Sequence, residues 1–261
     1  MPGLSVEEAG EGAPVVLLHG LTATRRYVVM GSRNLERGGH RVIAYDARGH
    51  GRSAPAASSD AYGYEDLAGD LLEVLDERGV DRAVLAGASM GAHTIVRFAL
   101  QHPERMAAVV LITPAYDPDA GPTGLDRWDA LARGLRDGGV DGFLAAYGEP
   151  QVPEQWRETV RTVLRQRLSA HEHPDAVADA LRVVPRSRPF AAWSDLGAID
   201  VPAAVVASRD EADPGHPYEI GERFAAALPN ARLVCEEPGK SPLAWQGGQL
   251  SRVIAEVAER A

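Results

Sequence analysis

The sequence predicts an α/β fold, a mostly parallel sheet covered by helices on both faces. Three observations carry this. Short continuous apolar runs, the pattern of strands buried on both sides, recur in the first half of the chain and again near its end. Amphipathic helical patterns fall between them with short connections, the order that sets parallel strands side by side. The length of 261 residues, with 45% hydrophobic and 25% charged, suits one large α/β domain or two small ones and excludes disorder throughout.

The first run is Pro14 to Leu18 (PVVLL), and Arg41 to Tyr45, Ala83 to Ala88 and Ala107 to Ile112 repeat it. Tyr64 to Arg78 puts Leu67, Leu71, Leu72 and Leu75 on one helix face, and Gly79 supplies a C-terminal stop. Met90 to Gln101 reads as another helix, with Pro103 just past its end. After Pro114 the rhythm breaks. From about Asp117 to Leu196 there is no strand-like run, only helical stretches broken by Gly and Pro. Within it Trp156, Val160, Val163, Leu164 and Leu168 share a helical face. The alternation resumes with a strand at Ala203 to Ala207, a helix at Glu219 to Leu228, a short strand at Arg232 to Cys235 and a closing helix at Leu250 to Arg260. The expected organisation is a core of residues 1–116 and 197–261, with a helical insert of residues 117–196 over one end of the sheet or beside it.

Lys+Arg 27 against Asp+Glu 37 gives a net charge of −10, which argues against a nucleic-acid partner. No apolar run reaches the roughly 20 residues of a membrane span. Met1 to Gly12 lacks the basic-then-apolar order of a secretion signal. Cys235 is the only cysteine, so an intrachain disulfide and a cysteine metal cluster are excluded, and no other metal constellation stands out. A soluble cytoplasmic protein is expected. Its oligomeric state is not legible. Lys240 is the only lysine; the other 26 basic residues are arginines.

Most of the chemistry lies in Gly87-Ala88-Ser89-Met90-Gly91, a G-x-S-x-G between an expected strand and an expected helix. A tight turn there strains the serine backbone, and the flanking glycines let neighbouring chain approach closely. The hydroxyl stands clear above the sheet, over a helix N-terminus that favours negative charge. His19-Gly20-Leu21 follows the first strand, and Asp46-Ala47-Arg48-Gly49-His50-Gly51-Arg52-Ser53 follows the second.

With these segments, the helical insert and the closing strand-helix-strand-helix section, the chain resembles the α/β-hydrolase family over nearly its whole length. The resemblance implies that Ser89 is the nucleophile, that the N–H groups of Leu21 and Met90 form the oxyanion hole, and that the insert is a cap. Serine at the elbow argues against the carboxylate-nucleophile branches, the haloalkane dehalogenases and epoxide hydrolases. Only residues 4–8 remain for earlier strands, so a sheet shorter than the family's usual one is expected.

The resemblance also places an acid after the strand that follows the cap, between Val206 and Pro217. Asp213 matches a D-x-x-x-P spacing with Pro217, and Asp210 matches the count from the strand end. Asp213 is preferred; either could instead cap a turn or the next helix. The family's histidine should lie in Glu237-Pro238-Gly239-Lys240-Ser241-Pro242, where Lys240 stands instead, and no histidine follows His216. A serine hydroxyl needs a base. Lys240 could serve if its surroundings supplied roughly 4 kcal/mol to bring its pKa down. His216, on the acid loop, has an ordinary pKa already suited to the task and is placed ahead. His93 is expected to pack against the sheet, His19 and His50 to shape loops near the site, and His40, His102, His171 and His173 to lie in turns or on the cap.

Gly20 and His19 are candidate substrate neighbours. Arg25 or Arg26 could hold a substrate carboxylate through paired hydrogen bonds, or lie on the surface. Trp245 could wall the pocket or pack in the core. Cys235 is expected in the core, and Asp46 and Arg48 to pair within their loop. The function expected is hydrolysis of a small ester, thioester or lactone through Ser89 with a relocated or non-standard base. The alternative is a non-hydrolytic protein of this fold, a ligand-binding protein or a cyclase or lyase without an acyl-enzyme. A C–C bond hydrolase ranks below both.

Overall fold

The computed structural model describes residues 3–237 and 245–261, built around one sheet of seven strands. The strands are β1 (Val6–Ala9), β2 (Ala13–Leu18), β3 (His40–Tyr45), β4 (Ala83–Ala88), β5 (Met106–Ile112), β6 (Ala203–Ala207) and β7 (Ala231–Cys235). Their order is β1-β3-β2-β4-β5-β6-β7. All neighbours are parallel except β1, which runs antiparallel to β3 from Val6↔Tyr45 to Ala9↔Val42. The sequence VEEA carries no apolar run, so β1 is not legible as a strand. An edge strand needs little burial, and Glu8 is tied to β3 by an ion pair to Arg41 at 2.6 Å. At the other edge Cys235 is only half-buried rather than a core residue, because β7 has a neighbour on one side alone.

The helices are α1 (Asn34–Arg37), α2 (Tyr64–Glu77), α3 (Met90–Gln101), α4 (Leu125–Tyr147), α5 (Glu154–Leu168), α6 (Pro174–Val183), α7 (Tyr218–Ala227) and α8 (Gly247–Ala258). Successive strand residues point to opposite faces, and both faces are apolar. Val16, Ile43, Leu85, Val109 and Val205 pack under α2, α3 and α7 with Leu71, Leu75, Ile95, Phe98 and Phe224. Val15, Leu17, Val84, Val110 and Val206 pack under α1 and α8 with Leu35, Leu250, Ile254 and Val257. Full burial of each such side chain contributes about 1.5–3 kcal/mol. This is why the strand segments read as unbroken apolar runs.

Helices α4, α5 and α6 lie between β5 and β6 and share their own core of Leu131, Leu135, Phe143, Leu144, Leu168, Val177 and Leu181. The backbone of α4 breaks at Gly139, where φ is 59°. Of the apolar face expected on α5, only Leu168 is fully buried. Ala176 and Ala180 of α6 pack against Tyr62, Tyr64, Leu67 and Met90, which seats the insert at the carboxyl end of the parallel strands. Ligands of open α/β sheets bind at that end. Among the described residues no helix is long and apolar enough to cross a membrane.

Candidate active site

Strand β4 ends at Ala88 and α3 begins at Met90, so Ser89 alone makes the turn. Its backbone sits at φ 50°, ψ −110°, a strained conformation for a residue with a Cβ, costing about 1–3 kcal/mol. The Ser89 N–H donates to the Ile112 carbonyl of β5 at 2.9 Å, which helps hold the turn. The two motif glycines answer to close backbone approach. A Cβ on Gly87 would lie 2.4 Å from the Gly91 carbonyl carbon, and one on Gly91 would lie 2.2 Å from the Leu18 carbonyl oxygen of β2.

The loop from β6 to α7 reaches the same end of the sheet. Asp213-Pro214-Gly215-His216 forms a turn closed by the His216 N–H donating to the Asp213 carbonyl at 3.2 Å. The turn brings the two side chains together: His216 Nδ1 is 2.8 Å from both carboxylate oxygens of Asp213. The other ring nitrogen, Nε2, is 2.8 Å from Ser89 Oγ. With Nδ1–H donating to the carboxylate, Nε2 holds a lone pair that can accept a hydrogen bond from the Ser89 hydroxyl. Burial raises the Asp213 pKa, but the hydrogen bond and charge of His216, the charge of Arg167 and the Gly215 N–H outweigh it and hold the carboxyl below its usual range. Asp213 is therefore an anion beside the imidazole. Asp210 stands apart from it: its Oδ1 accepts the Ala212 N–H at 2.8 Å within the loop.

Gly20 lies directly beside the serine, where a Cβ would meet Ser89 Cβ at 3.4 Å. Met90 opens α3, so its N–H has no acceptor within the helix. The Leu21 N–H has no backbone acceptor among the described residues. Both N–H groups thus remain available near Ser89. His19 braces the loop from behind. Its Nε2 accepts the Ala47 N–H at 2.9 Å and its Nδ1–H donates to the Gly20 carbonyl at 2.8 Å. Burial pulls its pKa down to about 4. His171, from the insert, accepts the Gly51 N–H at 2.8 Å and donates to the Thr22 carbonyl at 3.0 Å, tying the insert to both loops.

The family model for the alpha/beta hydrolase fold matches residues 13–241, which include every element of this arrangement. The chain belongs to that family. A 2-hydroxy-6-oxononadienedioate/2-hydroxy-6-oxononatrienedioate hydrolase of Pseudomonas putida is 32% identical over 243 residues, 88% of this chain and 82% of that protein. A thermophilic esterase from Thermogutta terrifontis, solved with malate bound, is 28% identical with a TM-score of 0.75, covering 98% of this chain and 92% of that one. The enol-lactonase from Burkholderia xenovorans superposes with a TM-score of 0.72 over 98% of this chain and 94% of that one; at 24% identity it speaks for the fold alone. Kinship with named hydrolases supports a hydrolase.

The other residues singled out in the sequence take the following places. Lys240, at the family's histidine position, lies outside the described residues. His19 is 2% exposed with both ring nitrogens engaged, so it positions the Gly20 loop instead of touching a substrate. The Arg25 guanidinium is engaged by Asp46, by Glu7 at 3.2 Å and by Ser5 at 3.3 Å, which makes it a clamp between the loop after β2 and the β1 edge. It lines a cavity of about 560 Å³ with Glu7, Leu35, Asp46 and Arg52, a wall that does not include Ser89. Arg48 pairs with Asp70 of α2 at 2.6 Å rather than with Asp46, because its planar fork faces the helix. Trp245 donates to Glu236 at 3.0 Å and packs against the core under α8. His93 lies beneath the elbow: its Nε2 accepts the N–H groups of Ala115 and Tyr116 at 3.0 and 3.1 Å, and Nδ1 meets the Tyr64 hydroxyl at 2.9 Å. Burial, then His216, pushes its pKa down to about 3, so it is a neutral structural group.

Sequence reasoning did not single out Tyr27 or Arg167, and it gave His171 no role at the loops. His171 reaches Thr22 across 149 positions, a contact that no local pattern encodes. Arg167 is hidden among 26 arginines.

Proposed function

We propose that the protein hydrolyses a small carboxylic ester, thioester or lactone through Ser89, with His216 as general base and Asp213 as its orienting carboxylate. The observation that carries this reading is the 2.8 Å contact of His216 Nε2 with Ser89 Oγ, with Asp213 on the other ring nitrogen. His216 takes the hydroxyl proton as Oγ attacks the acyl carbon. The Leu21 and Met90 N–H groups receive the developing oxyanion, each worth about 3–4 kcal/mol of transition-state stabilisation. The resulting imidazolium, stabilised by Asp213, returns the proton to the leaving alcohol, thiol or alkoxide. Water, activated by the same imidazole, then releases the acid. The route uses no metal or cofactor, and the insert would serve as the cap that shapes the acyl pocket. The esterase and hydrolase names of the relatives support the reaction class.

The test is fluorophosphonate labelling of the purified protein beside Ser89→Ala, His216→Ala and Lys240→Ala. Labelling is expected to vanish in the first two and to persist in the third. Labelling that survives His216→Ala and is lost in Lys240→Ala would move the base to the lysine. A folded wild-type protein that resists labelling would count against a covalent mechanism. The non-hydrolytic alternative rests on Lys240 standing where the family's histidine is expected, and the geometry offers no observation of its own in favour of it.

A further inference from the structure

Among the described residues three arginines keep a buried Nε without a hydrogen-bond partner: Arg78, Arg167 and Arg232. Two of them are neutralised, Arg78 by Glu8 at 3.9 Å and Arg232 by Glu256 at 2.5 Å. Arg167 has neither an ion pair nor a side-chain hydrogen bond among the described residues. It lies one residue from the end of α5, on the insert. Its guanidinium carbon stands 5.3 Å from the centre of the Tyr27 ring. Tyr27 belongs to the segment that continues from Leu21. Asp213 feels the arginine's charge without pairing with it. The guanidinium therefore lies beside the segment that continues from Leu21 and close enough to Asp213 for their charges to interact.

A cation held partly out of water without a counter-ion costs free energy unless something pairs with it. Burial lowers the Arg167 pKa, and Asp213 and Tyr27 oppose that fall. A guanidinium keeps its charge in proteins. Asp213 does not supply the partner: its carboxylate is turned to His216, and among the described residues it makes no ion pair with Arg167. The aromatic contact with Tyr27 orients the planar fork, and its terminal amino groups remain available. Two parallel N–H donors match one carboxylate. In a protein of net charge −10 the long-range field repels anions, so selection of one requires a local cation such as this.

We propose that Arg167 receives a carboxylate carried by the substrate, so that the enzyme selects esters or lactones that bear a free carboxylate away from the scissile carbonyl. The proposal rests on the hydrolytic reading of Ser89, and its test separates the two. Mono-p-nitrophenyl glutarate and p-nitrophenyl valerate have acyl chains of matching length and differ at the far end in carboxylate against methyl. The ratio of their kcat/KM values is measured in the wild type, Arg167→Gln and Arg167→Lys. The wild type is expected to favour the charged ester by at least about tenfold, and Arg167→Gln to lose about tenfold or more of that preference, mainly through KM. Arg167→Lys should fall between, since it keeps the charge without the fork.

Binding is read without turnover from the melting temperature of Ser89→Ala with glutarate or the neutral pentanamide added. Glutarate should raise it and pentanamide should not, and adding Arg167→Gln should abolish the rise. Hydrolysis of both esters with no preference, or a preference unchanged in Arg167→Gln, overturns the role of Arg167 and leaves the hydrolytic reading intact. A glutarate shift that depends on Arg167, in a protein that cleaves neither ester, overturns the hydrolytic reading and keeps the carboxylate site. Should Arg167→Gln fail to fold, the wild-type preference, the Arg167→Lys ratio and the glutarate shift of Ser89→Ala still decide the matter: absence of all three sinks the proposal.

Discussion

His216 Nε2 lies 2.8 Å from Ser89 Oγ across 127 positions of chain. Both residues stand at turns that leave the carboxyl end of the sheet, Ser89 after β4 and His216 after β6. Since β5 alone separates those strands, the two loops face one another. His216 therefore reaches the serine from the loop that also holds Asp213, within a turn of four residues.

That shared turn makes the two acids distinguishable. Asp213→Asn should lower kcat for ester hydrolysis by about 10⁴-fold, because an amide cannot hold the imidazole in the required tautomer or stabilise its cation. Asp210→Asn should cost less than about tenfold, since the carboxylate on the His216 ring is that of Asp213. Steady-state kinetics of the two variants, side by side, give the answer; equal losses would mean that the assignment of the acid is wrong.

Residues that act as one unit lose activity non-additively. Ser89→Ala and His216→Ala should each reduce kcat by about 10⁴ to 10⁶, and the double variant should be no slower than the worse single. Multiplying losses in the double variant would show that the two side chains act independently.

The elbow also makes a stability prediction. Gly91→Ala should destabilise the fold by more than about 3 kcal/mol, because its Cβ would press on the Leu18 carbonyl at 2.2 Å and neither backbone can yield without moving β2 or α3. Urea unfolding measures this. A midpoint within error of the wild type would contradict the packing described at the elbow.

Acid should weaken the protein before its carboxylates are protonated. Burial depresses the pKa of His19 to about 4 and of His93 to about 3, and it lowers His50 and His171 as well. In the unfolded chain these groups titrate near 6.5. Below that pH the unfolded chain binds more protons than the folded one, so stability is full above about 6.5 and declines as pH falls toward the folded values. At pH 5.5, His19 and His93 together should cost about 3 kcal/mol. Melting temperatures from pH 7.5 down to 4.5 test the sign, and a flat or rising profile on acidification would refute it.

Much of the architecture is present in local pattern. The runs at Pro14 to Leu18 and Ala203 to Ala207 announce strands because both faces of the sheet are covered and every position is apolar. The elbow is legible because two glycines and a serine at fixed spacing answer to one backbone geometry, the positive φ of Ser89 and the close approach at Gly87 and Gly91. Strand β1 escaped notice because an edge strand pairs by backbone and needs no apolar signature.

The partners of the charged side chains are another matter. Which carboxylate Arg25 or Arg48 would meet, which acid would lie on His216, and that Arg167 would meet none among the described residues depend on loops from distant parts of the chain coming together. Periodicity records whether a position is buried, an average over many neighbours that the local sequence carries. A hydrogen bond depends on placing two particular atoms within a few tenths of an ångström of one distance. Local pattern suffices for the sheet, its covering helices and the serine's turn; the approach of His216 to that serine comes from tertiary packing, because it depends on β4, β5 and β6 lying side by side.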